Sequence, residues 1–386
     1  MIKKIILIGY QPLTEKIKVD FYFEELKQKG LEVVYWDLSP IFFPDLLKDV
    51  LFDDVIQKIY NYSDLEHNLA IQNVEECLCV LHITYEYRVI KLFRLLTKYN
   101  TSISFFARGA LPVCINKDSI WHKLGKVLHP TLLSRFVKNK YAAFLKKTGK
   151  IKCYDFVFSA GELGYLTLGC GSEYDKKYSK IIPINSSDYD TFINTSNLGN
   201  LISNKYCLFL DEYLPLHPDF QLLGITTMNP LLYYRGINDF FDCIEKKYNI
   251  EVVIAAHPKA EKYKKENWFN GRKVFFDETA RLTKFCEFTI AHISTSQSFA
   301  VLNNKPIISI TSTIMKQIMP QYDRFINHFS TTLGTSLVNT DDYLLNDISV
   351  VSLDKEKYDQ YKYQYLTSKI SERANSFEFF CNTIKA

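Results

Sequence analysis

Residues 206–212 carry the pattern that decides the fold, because five apolar residues run directly into two acids: Tyr206-Cys207-Leu208-Phe209-Leu210-Asp211-Glu212. A short apolar run of this length is typical of a buried strand in a parallel sheet. The pattern returns where residues 252–256 lead into His257-Pro258, and where residues 288–293 lead into Ser294-Thr295-Ser296. Ligands of open α/β sheets bind beyond the carboxyl ends of the strands. We therefore predict that the three polar clusters share one edge of a sheet.

Apolar and amphipathic segments alternate along all 386 residues, which favours an α/β fold with parallel sheets. The predicted strands are residues 4–9, 31–38, 77–83, 103–108, 154–160 and 180–184, then 206–210, 251–256, 273–276, 287–293 and 306–310. The predicted helices are residues 21–29, 53–60 and 87–98 and the basic region after 117, then 230–247, 278–285, 296–302 and 355–383. A chain of this length exceeds one ordinary core. We expect two Rossmann-like domains facing each other across a cleft, the GT-B architecture, at 1–196 and 204–386, divided by the Asn- and Ser-rich segment 194–204.

The net charge of +4 hides a basic segment at residues 117–152, which carries ten Lys or Arg residues and one acid, Asp118. Apolar residues alternate with the basic ones at roughly helical spacing. A solvated helix pair on the first domain is one interpretation, and a surface that lies on anionic lipid is the other. Because no recognition motif accompanies the charge, we expect no nucleic-acid partner.

Other sequence features favour a cytoplasmic protein, at most peripheral at the inner face of a membrane. The opening residues 1–9 have no cleavage site of a signal peptide. No run reaches the roughly 18 apolar residues of a membrane span. The nine cysteines have no zinc-like spacing, and no DxD-like pair stands at a strand end. We expect a metal-independent protein without a cofactor.

Each polar cluster has an ordinary structural explanation, since hydroxyl residues cap helices and acids occupy turns. Together they provide the groups that sugar transfer from a nucleotide needs. Asp211 or Glu212 would serve as general base, and His257 would assist a departing phosphate. Pro258 would end the strand there and, with His257, belong to the nucleotide-binding residues. Ser294, Thr295 and Ser296 would bind phosphate at the start of a helix.

Taken in order, these clusters resemble three short motifs of bacterial sialyltransferases: an acid pair followed by glycine, His-Pro, and Ser-Ser/Thr. The resemblance implies an inverting enzyme that moves a sialic-acid-like sugar from CMP to a glycan or lipid-linked acceptor, in capsule or lipopolysaccharide synthesis. It makes Asp211, or alternatively Glu212, the base. It also makes His257 the partner of the CMP phosphate, with Ser294 and Thr295 as its cradle. The chain departs from the motif at Tyr213, where the family has glycine.

Three residues of the first domain are further candidates for binding the acceptor or the donor sugar. Arg108 and Gly109 follow one predicted strand, and Glu162 follows another. A guanidinium at this edge suits a carboxylate of either substrate.

Two alternative functions remain open at this point. The same architecture serves transferases and epimerases that use UDP- or GDP-sugars, for which Arg235, Lys259 or Arg281 would bind the second phosphate. The basic segment also fits a non-catalytic subunit that binds glycan and organises a membrane assembly.

Overall fold

The computed structural model describes residues 2–44, 54–112, 130–222, 225–345 and 348–385. The chain divides into two compact units. The first comprises Met1–Ala110, Asn116–Ser187 and Thr367–Ala386, and the second comprises Asp188–Leu366 with the short segment Leu111–Ile115.

The first unit is a seven-stranded parallel sheet in the order β3-β2-β1-β4-β5-β6-β7. Its strands are β1 (Lys4–Gly9), β2 (Glu32–Asp37), β3 (Ile56–Lys58), β4 (Cys77–Leu81), β5 (Ser102–Ala107), β6 (Phe156–Ala160) and β7 (Lys180–Ile184). Its helices are α1 (Glu15–Asp20), α2 (Phe23–Gln28), α3 (Ser39–Phe42), α4 (Tyr62–Ala70), α5 (Ile90–Lys98), α6 (Pro130–Lys147) and α7 (Ser172–Tyr178). Two short 3₁₀ turns lie at Tyr87–Val89 and Gly164–Leu168.

Both faces of this sheet are covered, as the unbroken apolar strands predict. In β1, Ile6 and Ile8 belong to the core on one face, and Ile5 and Leu7 belong to the core on the other. Because side chains alternate along a strand, a strand buried on both faces needs apolar residues at every position.

The second unit is a six-stranded parallel sheet in the order β10-β9-β8-β11-β12-β13. Its strands are β8 (Tyr206–Leu210), β9 (Glu251–Ala255), β10 (Val274–Phe275), β11 (Thr289–Ala291), β12 (Ile307–Thr311) and β13 (Ser336–Asn339). Its helices are α8 (Ser187–Thr195), α9 (Pro218–Leu222), α10 (Pro230–Tyr248), α11 (Thr279–Phe285), α12 (Gln297–Leu302), α13 (Thr313–Ile318), α14 (Pro320–Leu333) and α15 (Lys355–Tyr361), which a π-helical turn at Lys362–Leu366 extends. A 3₁₀ turn lies at Glu261–Lys264.

The pairing of β8 explains why residues 206–212 decide the fold. β8 pairs with β9 on one side and with β11 on the other, and Leu210 is level with both Ala255 and Ala291. The polar clusters that follow these three strands therefore emerge side by side at the carboxyl edge. The predicted α/β fold of two Rossmann-like domains is confirmed.

The tail of the chain differs from the prediction. The expected single helix over residues 355–383 is wrong, because the chain leaves the helical path after Leu366 and forms a separate helix, α16 (Ser376–Ile384). The tail returns to the first unit, where the Asn185 side chain donates to the Ala374 carbonyl at 3.0 Å and accepts from the Thr367 hydroxyl at 2.6 Å. The division of the chain therefore differs from the predicted domains 1–196 and 204–386. Residues 367–386 belong to the first unit, and α8 from Asp188 onward belongs to the second.

A second difference concerns residues 53–60, which were expected to be helical. Residues 56–58 form β3 and pair with Tyr35, Trp36 and Asp37 of β2. This pairing provides hydrogen-bond partners for the backbone of β2 on the side away from β1. None of the described helices is long and apolar enough to cross a membrane.

Candidate functional site

The acid pair after β8 joins the ends of the two neighbouring strands. Asp211 Oδ2 accepts the backbone N–H of His257, at the end of β9, at 3.3 Å. Glu212 Oε1 accepts the backbone N–H of Ile293, just after β11, at 2.5 Å. Each acid is thus hydrogen-bonded to a different neighbouring segment. These two bonds join the acid pair to the chain just after β9 and just after β11, where the His-Pro and hydroxyl clusters begin.

Asp211 is a buried carboxyl with both oxygens engaged. Its Oδ1 accepts the Tyr263 hydroxyl at 3.2 Å, and that hydroxyl lies 2.6 Å from the hydroxyl of Tyr234. Burial raises the pKa of Asp211 to about 7, although the bonds from His257, Tyr213, Tyr263 and Glu212 lower it in part. With both oxygens occupied, Asp211 is placed to hold the sheet edge together. No sequence pattern identified Tyr263 as a neighbour of Asp211.

Glu212 differs from Asp211 in having one uncommitted oxygen. Its Oε2 is covered and has no hydrogen-bond partner among the described residues. Burial, with the nearby charge of Asp211 as a smaller cause, raises the pKa of Glu212 well above its ordinary value. A raised pKa keeps a proton on this carboxyl at neutral pH, whereas a general base must be ionised and within reach of the acceptor hydroxyl. The sequence preferred Asp211 as base over Glu212, and the choice between them stays a prediction.

Two histidines form what we call the imidazole pair, His217 and His257. Their rings meet edge to face, with centroids 4.8 Å apart and planes inclined by 70°. His257 follows β9 as predicted, whereas His217 lies in the turn between β8 and α9 and was not predicted. The missed signal was another His-Pro dipeptide, His217-Pro218, six residues after Asp211.

Backbone contacts fix the tautomer of both rings. The N–H of Lys259 donates to His257 Nδ1 at 3.1 Å, and the N–H of Asp219 donates to His217 Nδ1 at 3.2 Å. An amide N–H only donates, so each Nδ1 is unprotonated and each neutral ring carries its proton on Nε2. The imidazole pair therefore presents two Nε2–H donors.

The surroundings keep His257 neutral. Burial, His217 and Lys259 together lower its pKa to about 4, and Asp219 opposes this shift. Burial likewise lowers the pKa of His217. The Lys259 ammonium binds both oxygens of Asp219, at 2.8 and 3.0 Å. The cluster thus offers two neutral donors beside one paired cation. Pro258, after His257, is exposed.

Tyr213 adopts a backbone conformation that favours glycine. Its φ is +58°, in the left-handed region, and its side chain is buried against the ring of Tyr263 at 5.2 Å between centroids. The sialyltransferase motif has glycine at this position. Tyr213 thus differs from the motif in residue type, but its backbone has a conformation that glycine adopts readily.

Ser294, Thr295 and Ser296 form the turn that leads into α12. The Ser296 N–H donates to Ser294 Oγ, and the Ser294 N–H donates to the Gln297 side-chain oxygen, both at 3.2 Å. The Ser296 side chain makes no capping bond, and Thr295 is exposed. Their phosphate-binding role stays a prediction.

His292, near this turn, has a structural role. It is buried, its Nδ1 donates to the Ile310 carbonyl at 2.9 Å, and its Nε2 accepts the Tyr233 hydroxyl at 3.0 Å. Both nitrogens are engaged within the protein, which separates His292 from the imidazole pair.

The candidates of the first unit lie at strand ends, as predicted. Arg108 directly follows β5, donates to the Tyr22 hydroxyl at 3.0 Å and stacks 4.8 Å from the Phe106 ring centroid. Gly109 is exposed with φ +101°, and Glu162 is exposed after β6. Their binding roles stay predictions.

The basic residues named for a diphosphate fall in different places. Lys259 adjoins the imidazole pair, Arg235 is exposed on α10, and Arg281 donates to the Gly199 carbonyl at 2.6 Å. Within the described part of the chain, no group of three or more His, Cys, Asp or Glu residues is arranged to hold a metal ion.

Comparison with known proteins reveals similarity in fold. No protein-family model matches the chain, and no curated protein matches it in sequence. The structure of the wall teichoic acid polymerase TagF aligns over 99% of this chain and 89% of its own, with a TM-score of 0.52 at 12% identity. A His-to-Asn variant of TagF aligns over the same shares with a TM-score of 0.51 at 12% identity. A putative UDP-N-acetylglucosamine 2-epimerase from Listeria monocytogenes has a TM-score of 0.48 at 12% identity, over 99% of this chain and 95% of its own. At this identity the likeness to TagF shows the fold alone, a GT-B fold of two Rossmann-like domains.

Proposed function

We propose that this protein is a GT-B glycosyltransferase that uses a sugar activated by a nucleoside diphosphate. The imidazole pair carries this proposal. Two adjacent Nε2–H donors, with Lys259 beside them, provide contacts for the oxygens of two linked phosphates. The donor of a sialyltransferase has a single phosphate, so the proposal favours the UDP- or GDP-sugar alternative.

The proposed reaction uses the acid pair and the imidazole pair. The acceptor hydroxyl oxygen bonds to the anomeric carbon of the sugar as the bond from that carbon to the donor phosphate breaks. The hydroxyl proton passes to an ionised carboxylate of the acid pair, Asp211 or Glu212, and the electron pair of the broken bond leaves with the nucleoside diphosphate. His217 and His257 donate hydrogen bonds to the phosphate oxygens, where negative charge develops.

The test is a thermal-shift titration of the full chain with UDP, GDP, CDP and CMP. A ligand that binds only the folded state raises stability by about 2.7 kcal/mol at a hundredfold excess over its Kd. We expect a nucleoside diphosphate to raise the Tm, and His217→Asn and His257→Asn to reduce that rise. His67→Asn, at an exposed position on α4, is the matched control. Unchanged shifts in both site variants would contradict the proposal.

Product analysis then distinguishes transfer from epimerisation. A transferase releases nucleoside diphosphate and needs an acceptor for full turnover. An epimerase isomerises the sugar of the donor without any acceptor.

A second candidate function is sialyltransferase-like transfer from a CMP donor, and the backbone of Tyr213 favours it. The left-handed conformation there matches the glycine of the family motif. A Tm shift with CMP and none with the diphosphates would select this candidate.

A further inference from the structure

Helix α6 (Pro130–Lys147) exposes a set of large apolar side chains that the proposed reaction does not use. Phe136 is 59% exposed, Val137 57%, Tyr141 44% and Phe144 51%. Phe136, Lys140 and Phe144 follow one another at intervals of four residues. Val137 and Tyr141 are also four residues apart. Residues at this spacing lie on one side of a helix. Large apolar side chains exposed together on one helix mark an interaction site.

The opposite side of α6 is fixed to the body of the first unit. Ala142 and Leu145 are buried, and the buried Tyr85 hydroxyl donates to the Ala142 carbonyl at 2.9 Å. The Lys146 ammonium is fully buried and binds Asp175 of α7 at 2.5 Å. Because the inward side of the helix is committed, the aromatic side cannot rotate into the core. Its exposure is a property of the folded unit.

Basic side chains surround the apolar patch. Arg135, Lys138, Lys140 and Lys147 are exposed on the same helix, and residues 130–147 contain no Asp or Glu. Lys140 lies 5.5 Å from the Phe136 ring centroid, and Arg94 of α5 donates to the Tyr141 hydroxyl at 3.5 Å. We call this combination of α6 side chains the basic aromatic face.

We infer that the basic aromatic face docks on an anionic phospholipid surface. Aromatic side chains partition to the boundary of headgroups and acyl chains, and nearby lysines are attracted by acidic headgroups. Charge complementarity decides against a second copy of this chain, because a symmetric contact would place the same cations opposite one another. The prediction of lipid contact for residues 117–152 is thereby narrowed to described residues of α6, and 117–129 lie outside the described residues.

The test is co-sedimentation of the full chain with vesicles of phosphatidylcholine alone and of phosphatidylcholine mixed with phosphatidylglycerol. We expect binding to the mixed vesicles only, and weaker binding as salt rises. Lys138→Gln with Lys140→Gln should weaken binding about thirtyfold, since each lysine near such a surface contributes about fivefold. Phe136→Ser with Phe144→Ser, which keeps every charge, should weaken binding at least about tenfold.

The matched control is Lys246→Gln with Lys265→Gln, which removes two exposed lysines of the second unit. This variant should bind vesicles about as well as the unmodified chain. Absence of vesicle binding, or equal binding by all three variants, would overturn the inference. Loss in the lysine variant with full retention in the Phe136 and Phe144 variant would also overturn it, because vesicle binding would then rest on charge alone, without contact of the aromatic side chains.

Phe144→Trp supplies a second readout that does not depend on variants with weakened binding. Since position 144 is exposed, insertion into the interface should shift the emission of the new tryptophan to shorter wavelength when mixed vesicles are added. Emission that stays at the wavelength of a water-exposed indole on vesicles that sediment with the protein would contradict contact through this face.

Discussion

At the scale of single residues, the protonation state of the imidazole pair determines what it offers a ligand. Each Nδ1 accepts a backbone N–H, so each neutral ring keeps its proton on Nε2. Histidine in this state is a fixed neutral donor and does not change charge near neutral pH. His257 itself should therefore contribute no pH dependence to phosphate binding near neutral pH, well above the value of about 4 to which its pKa is lowered.

Replacing His257 by Gln and by Asn separates the two roles of the ring. Glutamine places an amide N–H near the former Nε2, whereas asparagine places its oxygen near the former Nδ1. Asparagine should weaken nucleoside diphosphate binding roughly 10- to 100-fold, the range for a lost hydrogen bond to a charged group. Glutamine should retain most of the affinity, as measured by calorimetry. The reverse order would mean that His257 acts by holding the Lys259 loop.

The backbone strain at Tyr213 is testable with a pair of substitutions. Tyr213→Ala and Tyr213→Gly both remove the buried ring, so both should destabilise the protein. Alanine retains the Cβ that opposes a φ of +58°, and glycine does not. We expect the glycine variant to be more stable than the alanine variant by about 1 kcal/mol in denaturant unfolding. Equal stability, or a more stable alanine variant, would contradict strain at this position.

The raised pKa of Asp211 predicts a pH dependence of stability. The folded chain holds this proton with a pKa of about 7 against an ordinary 3.8, so the contribution of Asp211 is greatest below pH 3.8. It falls as the pH rises towards 7, by about 4 kcal/mol in total, because the unfolded chain ionises first. His257 and His292, with pKa values lowered to about 4, act in the opposite direction between pH 4 and their ordinary 6.5.

The difference between the unmodified protein and Asp211→Asn isolates this effect, since both proteins keep the histidines. The free energy of unfolding of the variant, minus that of the unmodified protein, should increase between pH 4 and pH 7. A flat difference over that range would show that Asp211 is ionised in the folded protein with an ordinary pKa.

At the scale of elements, the sequence predicted the positions of the strands better than it predicted the contacts between segments distant in sequence. Continuous apolar runs such as Tyr206–Leu210 are long enough to be recognised without tertiary information. β3 was mistaken for a helix because three edge residues acquire their structure from pairing with β2. The position of the acid, His-Pro and hydroxyl clusters followed from strand ends. The contact between His217 and His257 did not, because it depends on the path of the turn after β8.

The position of α6 depends on a buried ion pair, and this is testable. The Lys146 ammonium lies 4.3 Å from the Tyr85 ring centroid and 4.5 Å from that of Tyr154. It binds Asp175, and both side chains are fully buried. Lys146→Met leaves a buried carboxyl without its cation, and should lower the free energy of unfolding by about 3–5 kcal/mol.

The double variant Lys146→Met with Asp175→Asn tests the cause of that loss. It removes both charges, and the asparagine oxygen still accepts the Tyr154 N–H that Asp175 binds at 3.3 Å. We expect at least half of the lost stability to return in denaturant unfolding. A double variant as unstable as the single one would assign the loss to packing of the lysine stem instead of to charge.

At the scale of the whole molecule, the division into two units does not follow chain order. The last described residues, in α16, belong to the core of the first unit, although the second unit precedes them. The ring of Phe380 lies 5.3 Å from Phe106 and 5.0 Å from Phe158, measured between centroids. The sequence did not predict that α16 packs on the first unit, because an apolar helix at the end of the chain is compatible with the core of either unit.

Phe380→Ala and Phe241→Ala form a matched pair for testing this division by hydrogen exchange. Both side chains are buried, and Phe241 packs 5.1 Å from Phe209 in the second unit. Each truncation should cost about 3–5 kcal/mol. Phe380→Ala should accelerate amide exchange in β1, β5 and β6, and Phe241→Ala should accelerate it in β8 and β9. Faster exchange of β8 and β9 in Phe380→Ala alone would assign the tail to the second unit. Equal acceleration of both sheets in both variants would show that the two units unfold as one, because local unfolding would then have no boundary at the division.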